Sequence, residues 1–171
     1  MNISLWSASV LVVSSVALHA QEPAKPTKRV ALAQSCFWSG EMRLGQIDGV
    51  VRTEAGFIQG REVTLVEYAP AQISLEKLVR QARQAGMADQ VHLESGVNGE
   101  TAGVPVGAPL EQNYRPAPAG DQKKQIEGTP FAQLKLTSEQ ATKVNAFVRI
   151  NPGKALEFLT AAQREKLAGS H

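Results

Sequence analysis

The chain of 171 residues has a single cysteine, three histidines and only 5% aromatic residues. One cysteine excludes a disulfide framework within the chain. So few thiols and imidazoles, scattered along the sequence, leave no credible metal-ligand cluster, and no metal or cofactor is expected. Charge of one sign is also lacking: 18 Lys and Arg stand against 16 Asp and Glu, a formal +2. Lys123-Lys124 is the nearest thing to a basic cluster, so the electrostatic footprint of a nucleic-acid binder is missing. The apolar stretch around Val10-Leu11-Val12-Val13 falls short of the roughly 20 residues that a membrane-spanning helix needs.

Residues 1–20 contain no Lys, Arg, Asp or Glu. With the apolar run and the turn into Gln21-Glu22-Pro23, they read as a secretory signal peptide cleaved after Ala20. A periplasmic or secreted protein, with no membrane attachment after cleavage, is expected. Residues 21–29 read as a Pro/Lys linker.

Residues 30–95 carry the pattern of an α+β core. Val30–Gln34 is a short apolar strand, and Phe37–Leu44 is a helix stopped near Gly45. Val50–Phe57 and Glu62–Tyr68 are β-rich and flank a turn at Gly60, which predicts a hairpin. Ser74 caps a second helix with apolar positions Leu75, Leu78, Val79 and Ala82. Val91-His92-Leu93 is a final strand, with His92 most simply a structural histidine. The order β-α-β-β-α-β is that of a ferredoxin-like split βαβ sheet carrying both helices on one face. Residues 96–130 turn Gly/Pro-rich and read as a long loop region or a partly ordered crossover. In the C-terminal extension, residues 131–171, Thr137 and Thr160 are each followed three residues later by Gln. That capping-box spacing predicts helices over about 138–148 and 161–167.

The cysteine lies where the first strand gives way to the first helix, in Ser35-Cys36-Phe37-Trp38-Ser39-Gly40-Glu41. Unpaired amides and the positive end of a helix dipole attract anionic sulfur there. Beside it, Phe37 and Trp38 offer faces that suit methyl and sulfur groups, or they are ordinary core. From the residues alone, Glu62 reads as a solvated strand carboxylate at the edge of the hairpin. Glu41 is an exposed helix residue or an internal hydrogen-bond partner.

Three blocks in order resemble the A-type peptide methionine sulfoxide reductases. The first is Ser35–Glu41, against the family's Gly-Cys-Phe-Trp-Gly-x-Glu. The second is Gly49-Val50-Val51-Arg52-Thr53-Glu54-Ala55-Gly56-Phe57-Ile58-Gln59-Gly60. The third runs from Arg61-Glu62-Val63-Thr64-Leu65-Val66-Glu67-Tyr68 to Ile73-Ser74-Leu75-Glu76. The resemblance implies a thiol oxidoreductase in which Cys36 attacks the sulfoxide sulfur and becomes a sulfenic acid, with Glu62 as the acid. It implies a methyl pocket of Phe37 and Trp38, with Phe57 where the family has an oxygen-binding tyrosine. Gln112-Asn113-Tyr114-Arg115 resembles the end of a later block and makes Tyr114 a second oxygen-binding hydroxyl; Gln122-Lys123-Lys124 resembles a run a little beyond it. Implied partners are methionine sulfoxide, in peptides or free, and an external, thioredoxin-like thiol reductant, since no resolving cysteine exists. The lost tyrosine, the missing segment between Gly60 and Arg61 and the added helices leave open a non-catalytic peptide- or protein-binding module. A redox sensor is the third reading.

Overall fold

The computed structural model describes residues 26–169, so the expected signal peptide lies outside them. Four strands and two helices form the core: β1 Lys28–Ala33, α1 Phe37–Leu44, β2 Val50–Ile58, β3 Arg61–Tyr68, α2 Leu75–Gln84 and β4 Gln90–Leu93. A short helix α3, Leu110–Asn113, leads into β5, Tyr114–Pro116. The helices α4 Ser138–Phe147, α5 Pro152–Glu157 and α6 Ala161–Ala168 complete the chain.

All strand pairs are antiparallel, in the order β4-β1-β3-β2-β5. The first four strands therefore have the split βαβ arrangement that the element order β-α-β-β-α-β predicts. Gln59 and Gly60, both with positive φ (51° and 80°), form the two-residue loop between β2 and β3. Two left-handed residues in such a loop match the right-handed twist of the flanking strands.

Because neighbouring side chains on a strand point to opposite faces, the register sorts the sheet into two surfaces. Val30 and Leu32 of β1 and Val66 of β3 join Leu44 of α1 and Leu78, Val79 and Ala82 of α2 in the main core. Both helices therefore cover one face. Ala31, Ala33, Val63 and Ile58 point the other way and are covered by Leu110 and Tyr114. Ser74 caps α2 by accepting from the Lys77 amide at 3.2 Å.

Two readings are revised. The strand β1 begins at Lys28, so the linker expected to reach residue 29 ends earlier. The segment 96–130 is not loop throughout, since it supplies α3 and the fifth strand. Pro116 is tolerated in β5 because this is an edge strand, where a missing N–H can face away from the ladder.

Thr137 and Thr160 each make the complete capping box, with Gln140 and Gln163. The two glutamines also bond each other at 2.8 and 3.1 Å, which ties the starts of α4 and α6 together. Helix α5, absent from the sequence reading, starts where the Asn151 side chain accepts from the Lys154 amide, with Pro152 at its first position. Val144, Phe147, Ala155, Leu159 and Leu167 form a second core. The unit docks on the sheet through Thr142, whose hydroxyl accepts from the Thr53 amide at 3.1 Å. Lys143 adds a clamp, donating to the Gly45 and Ile47 carbonyls at the end of α1 at 2.9 and 3.4 Å. No helix among the described residues is long and apolar enough to cross a membrane.

Candidate active site

Cys36 is the N-cap residue of α1, in an extended conformation (φ −151°, ψ 112°), half-buried and free. A helix start leaves its first amides without intrahelical acceptors. Here the first of them, the Phe37 N–H, donates to Oε2 of Glu62 at 2.7 Å. Glu62 can do this because it lies in β3 directly opposite Phe57 of β2 and its side chain rises on the face that carries α1. The short hairpin therefore does bring the carboxyl to the residue that follows the thiol.

Three aromatic rings line this corner. Phe37 is buried between the other two, with ring centroids 5.9 Å from Trp38 and 5.4 Å from Phe57, the latter edge to face. Trp38 is 36% exposed, with Lys124 Nζ 5.5 Å above its ring. Helix α1 lies close to β3 because Gly40 has no side chain. A Cβ there would stand 2.2 Å from the Thr64 hydroxyl. The same hydroxyl shares a 3.0 Å hydrogen bond with the Gln34 side-chain amide.

Glu41 proves to be an internal partner and not a solvated residue. It is fully buried and ion-paired with Lys123 Nζ, and it accepts from the Lys123 amide at 2.7 Å. Lys123 Nζ also donates to the Thr53 carbonyl at 2.6 Å, so one ammonium joins α1 to β2. The side chain of Gln122 continues the ladder past β5. It accepts from the Ala55 amide at 2.9 Å and donates to the Ala55 carbonyl at 2.8 Å. Sequence reasoning singled out the run 122–124 but not its work of fastening. The signal for the run is its resemblance to a family segment, which carries no information on partners 67 and 82 residues away.

Tyr114 is placed differently from the expectation of an oxygen-binding hydroxyl beside Cys36. It pairs with Ile58 in register, which puts it on the sheet face opposite Phe57 and Glu62. Its ring lies on Gly56, where a Cβ would come within 2.3 Å of it. Its hydroxyl donates to Glu54 at 2.6 Å. Burial, then the Glu54 carboxylate, push the phenol far above its ordinary value. His92, on that same face, is buried, with Nδ1 2.8 Å from the Ala108 carbonyl. Among the described residues, no group of His, Cys, Asp and Glu could hold a metal ion.

A half-buried thiol at a helix start, a carboxyl on the adjacent amide and an aromatic wall form a site for thiol chemistry on a small apolar group. Peptide methionine sulfoxide reductases MsrA from three Clostridium perfringens strains (SM101, ATCC 13124 and 13) are each 38% identical over 69 residues. Each match covers 30% of this chain and 44% of the relative, so the chain spans less than half the length of these curated relatives. A solved structure, methionine sulfoxide reductase A of Corynebacterium diphtheriae, is similar at 18% identity with a TM-score of 0.49, covering 64% of this chain and 78% of its own. No protein-family model matches. Over the matched segment, the chain is a divergent, partial relative of MsrA.

Proposed function

We propose that the protein is a thiol-dependent oxidoreductase that reduces methionine sulfoxide to methionine. Cys36 attacks the sulfoxide sulfur as the thiolate; the oxygen then bonds to the Cys36 sulfur as the sulfoxide S–O bond and the transient bond between the two sulfurs break, leaving a sulfenic acid and the thioether. Glu62 passes a proton to the departing oxygen, while Phe37 and Trp38 hold the S-methyl group. Two equivalents of an external thiol, thioredoxin-like in class, then return Cys36 to the thiol and release water and a disulfide. The observation that supports this reading is the 2.7 Å hydrogen bond from Phe37 N–H to Glu62, which holds the carboxyl on the residue that follows Cys36. The test is reduction of a methionine sulfoxide peptide with excess dithiol. Cys36→Ser is expected to abolish it, and Glu62→Gln to slow it by roughly a hundredfold at neutral pH. Activity that survives Cys36→Ser would overturn the proposal.

A second reading, a binding module or redox sensor without turnover, draws on one observation. Phe57 has no hydroxyl, and the hydroxyl of Tyr114 is committed to Glu54. Cys36 oxidised by mild peroxide, with no sulfoxide reduced, would select the sensor. Export belongs to the proposal too: residues 1–20 would direct the protein to the periplasm or the medium, and the processed chain would begin at Gln21.

A further inference from the structure

We infer that Arg115 is a specificity-determining residue, and that the site favours methionine sulfoxide flanked by acidic residues. The inference rests on the reductase reading and names the substrate class for the same corner of the fold.

The register carries it. Arg115 is the cross-strand partner of Phe57 in the β2–β5 pair. Directly opposed residues of an antiparallel pair share a face and have Cβ atoms within about 5.5 Å. Arg115 therefore stands on the side of the sheet that bears Phe57, Glu62 and the start of α1. It is exposed. Its two neighbours in β5, Tyr114 and Pro116, point to the opposite face.

Arg115 also differs from most arginines of the fold in being uncommitted. Arg29, Arg52, Arg61 and Arg80 each face a carboxylate, and Arg83, Arg149 and Arg164 donate to backbone carbonyls. Among the described residues, Arg115 and Arg43 make no such bond. Arg43 lies in the last turn of α1, at the other end of the helix from Cys36.

The aromatic row runs from Trp38 through Phe37 to Phe57, with one cation at each end. At the Trp38 end Lys124 is neutralised by Glu127 at 2.5 Å. At the Phe57 end Arg115 keeps its charge. Glu62, the partner of Phe57 across the β2–β3 pair, has its Oε2 taken by the Phe37 amide. A guanidinium beside an apolar pocket suits a carboxylate next to the sulfoxide side chain, since its planar fork can take both oxygens.

The test compares two methionine sulfoxide peptides matched in length, one flanked by Glu and one by Lys, reduced with excess dithiol. Full-length protein is expected to favour the acidic peptide in kcat/KM by roughly threefold, the scale of one exposed ion pair. In Arg115→Gln the ratio falls to about one, and in Arg115→Glu it inverts, as expected for a charge at the rim. Equal kcat/KM for the two peptides in the unaltered protein, or an acidic preference that survives Arg115→Glu, would overturn the inference. Binding of the same peptides to Cys36→Ser protein, measured by calorimetry, keeps the question apart from turnover. If neither peptide is reduced, the reductase reading fails, while the ratio of the two affinities still upholds or overturns the role of Arg115.

Discussion

The two faces of the sheet are built from the same strands but carry different chemistry. On the helix face, Glu62 and Phe57 meet the N-terminus of α1, so a thiol, a carboxyl and three rings converge. On the opposite face, the Tyr114 hydroxyl is taken by Glu54 and His92 Nδ1 by the Ala108 carbonyl, and no thiol stands beside them. A shift of one residue along a strand moves a side chain from one group to the other. Tyr114 and Arg115 are the case in point: adjacent in sequence, they face opposite sides. The site is thus defined by the parity of the register as much as by the motif.

The largest effect that sharpens this contrast is expected at Lys123, which anchors the helix face from behind. Glu41 is fully buried, and its charge is balanced by Lys123, whose side chain is 17% exposed. Removing one member of a buried pair strands the other, at a cost of about 3–5 kcal/mol. Lys123→Met should lower stability by that amount in chemical denaturation. The double variant Glu41→Leu/Lys123→Met should recover most of it, because well-packed apolar replacements of a buried pair are close to neutral. A single variant as stable as the parent would show that the pair does not secure α1.

A smaller effect separates the faces by swapping a hydroxyl between them. Tyr114→Phe removes a hydrogen bond to Glu54 and should cost about 1–2 kcal/mol of stability. Phe57→Tyr adds a hydroxyl on the face of Glu62, where a developing charge on the sulfoxide oxygen could be met, and should raise kcat by about tenfold or more. Sulfoxide reduction that falls in Tyr114→Phe out of proportion to stability, and does not respond to Phe57→Tyr, would break the assignment of faces.

These placements also show what the sequence could and could not disclose. The split βαβ order is legible because β1 is a short apolar run, β2 and β3 are β-rich over eight to nine residues on either side of Gly60, and Ser74 caps the helix that follows. Helices α4 and α6 are legible from their caps, which act within four residues. Strand β5 has three residues, one of them proline, so neither its existence nor its parity can be read, and Tyr114 was expected on the wrong side. The pairing of Glu41 with Lys123 spans 82 residues, and no local pattern encodes it. The nearness of Glu62 to Cys36 came from motif resemblance; the hydrophobic pattern alone says only that Glu62 starts a strand.

The smallest expected effect lies on the far face, in His92. Its ring is 2% exposed, with Nδ1 on the Ala108 carbonyl and Nε2 without a hydrogen-bond partner among the described residues. Burial lowers its pKa below the ordinary 6.5, the Ala108 carbonyl opposes that shift, and Arg61 adds to it. The unfolded chain therefore takes up the proton first as the medium is acidified. The stabilising contribution of neutral His92 is present above pH 6.5 and is lost as pH falls from there through the folded-state value. Melting temperatures followed from pH 7.5 to 5 should fall more steeply for the parent than for His92→Gln, which has no titrating group at this position. The difference should vanish above pH 7.5, where the histidine is neutral in both states. Sulfoxide reduction by Cys36 should keep its own pH profile in His92→Gln, since a titration confined to the far face has no route to Glu62 except through loss of the fold. Parallel melting curves for the two proteins would mean that the ring exchanges its buried contacts for water without penalty, and the far face would then be less closed than its burial implies.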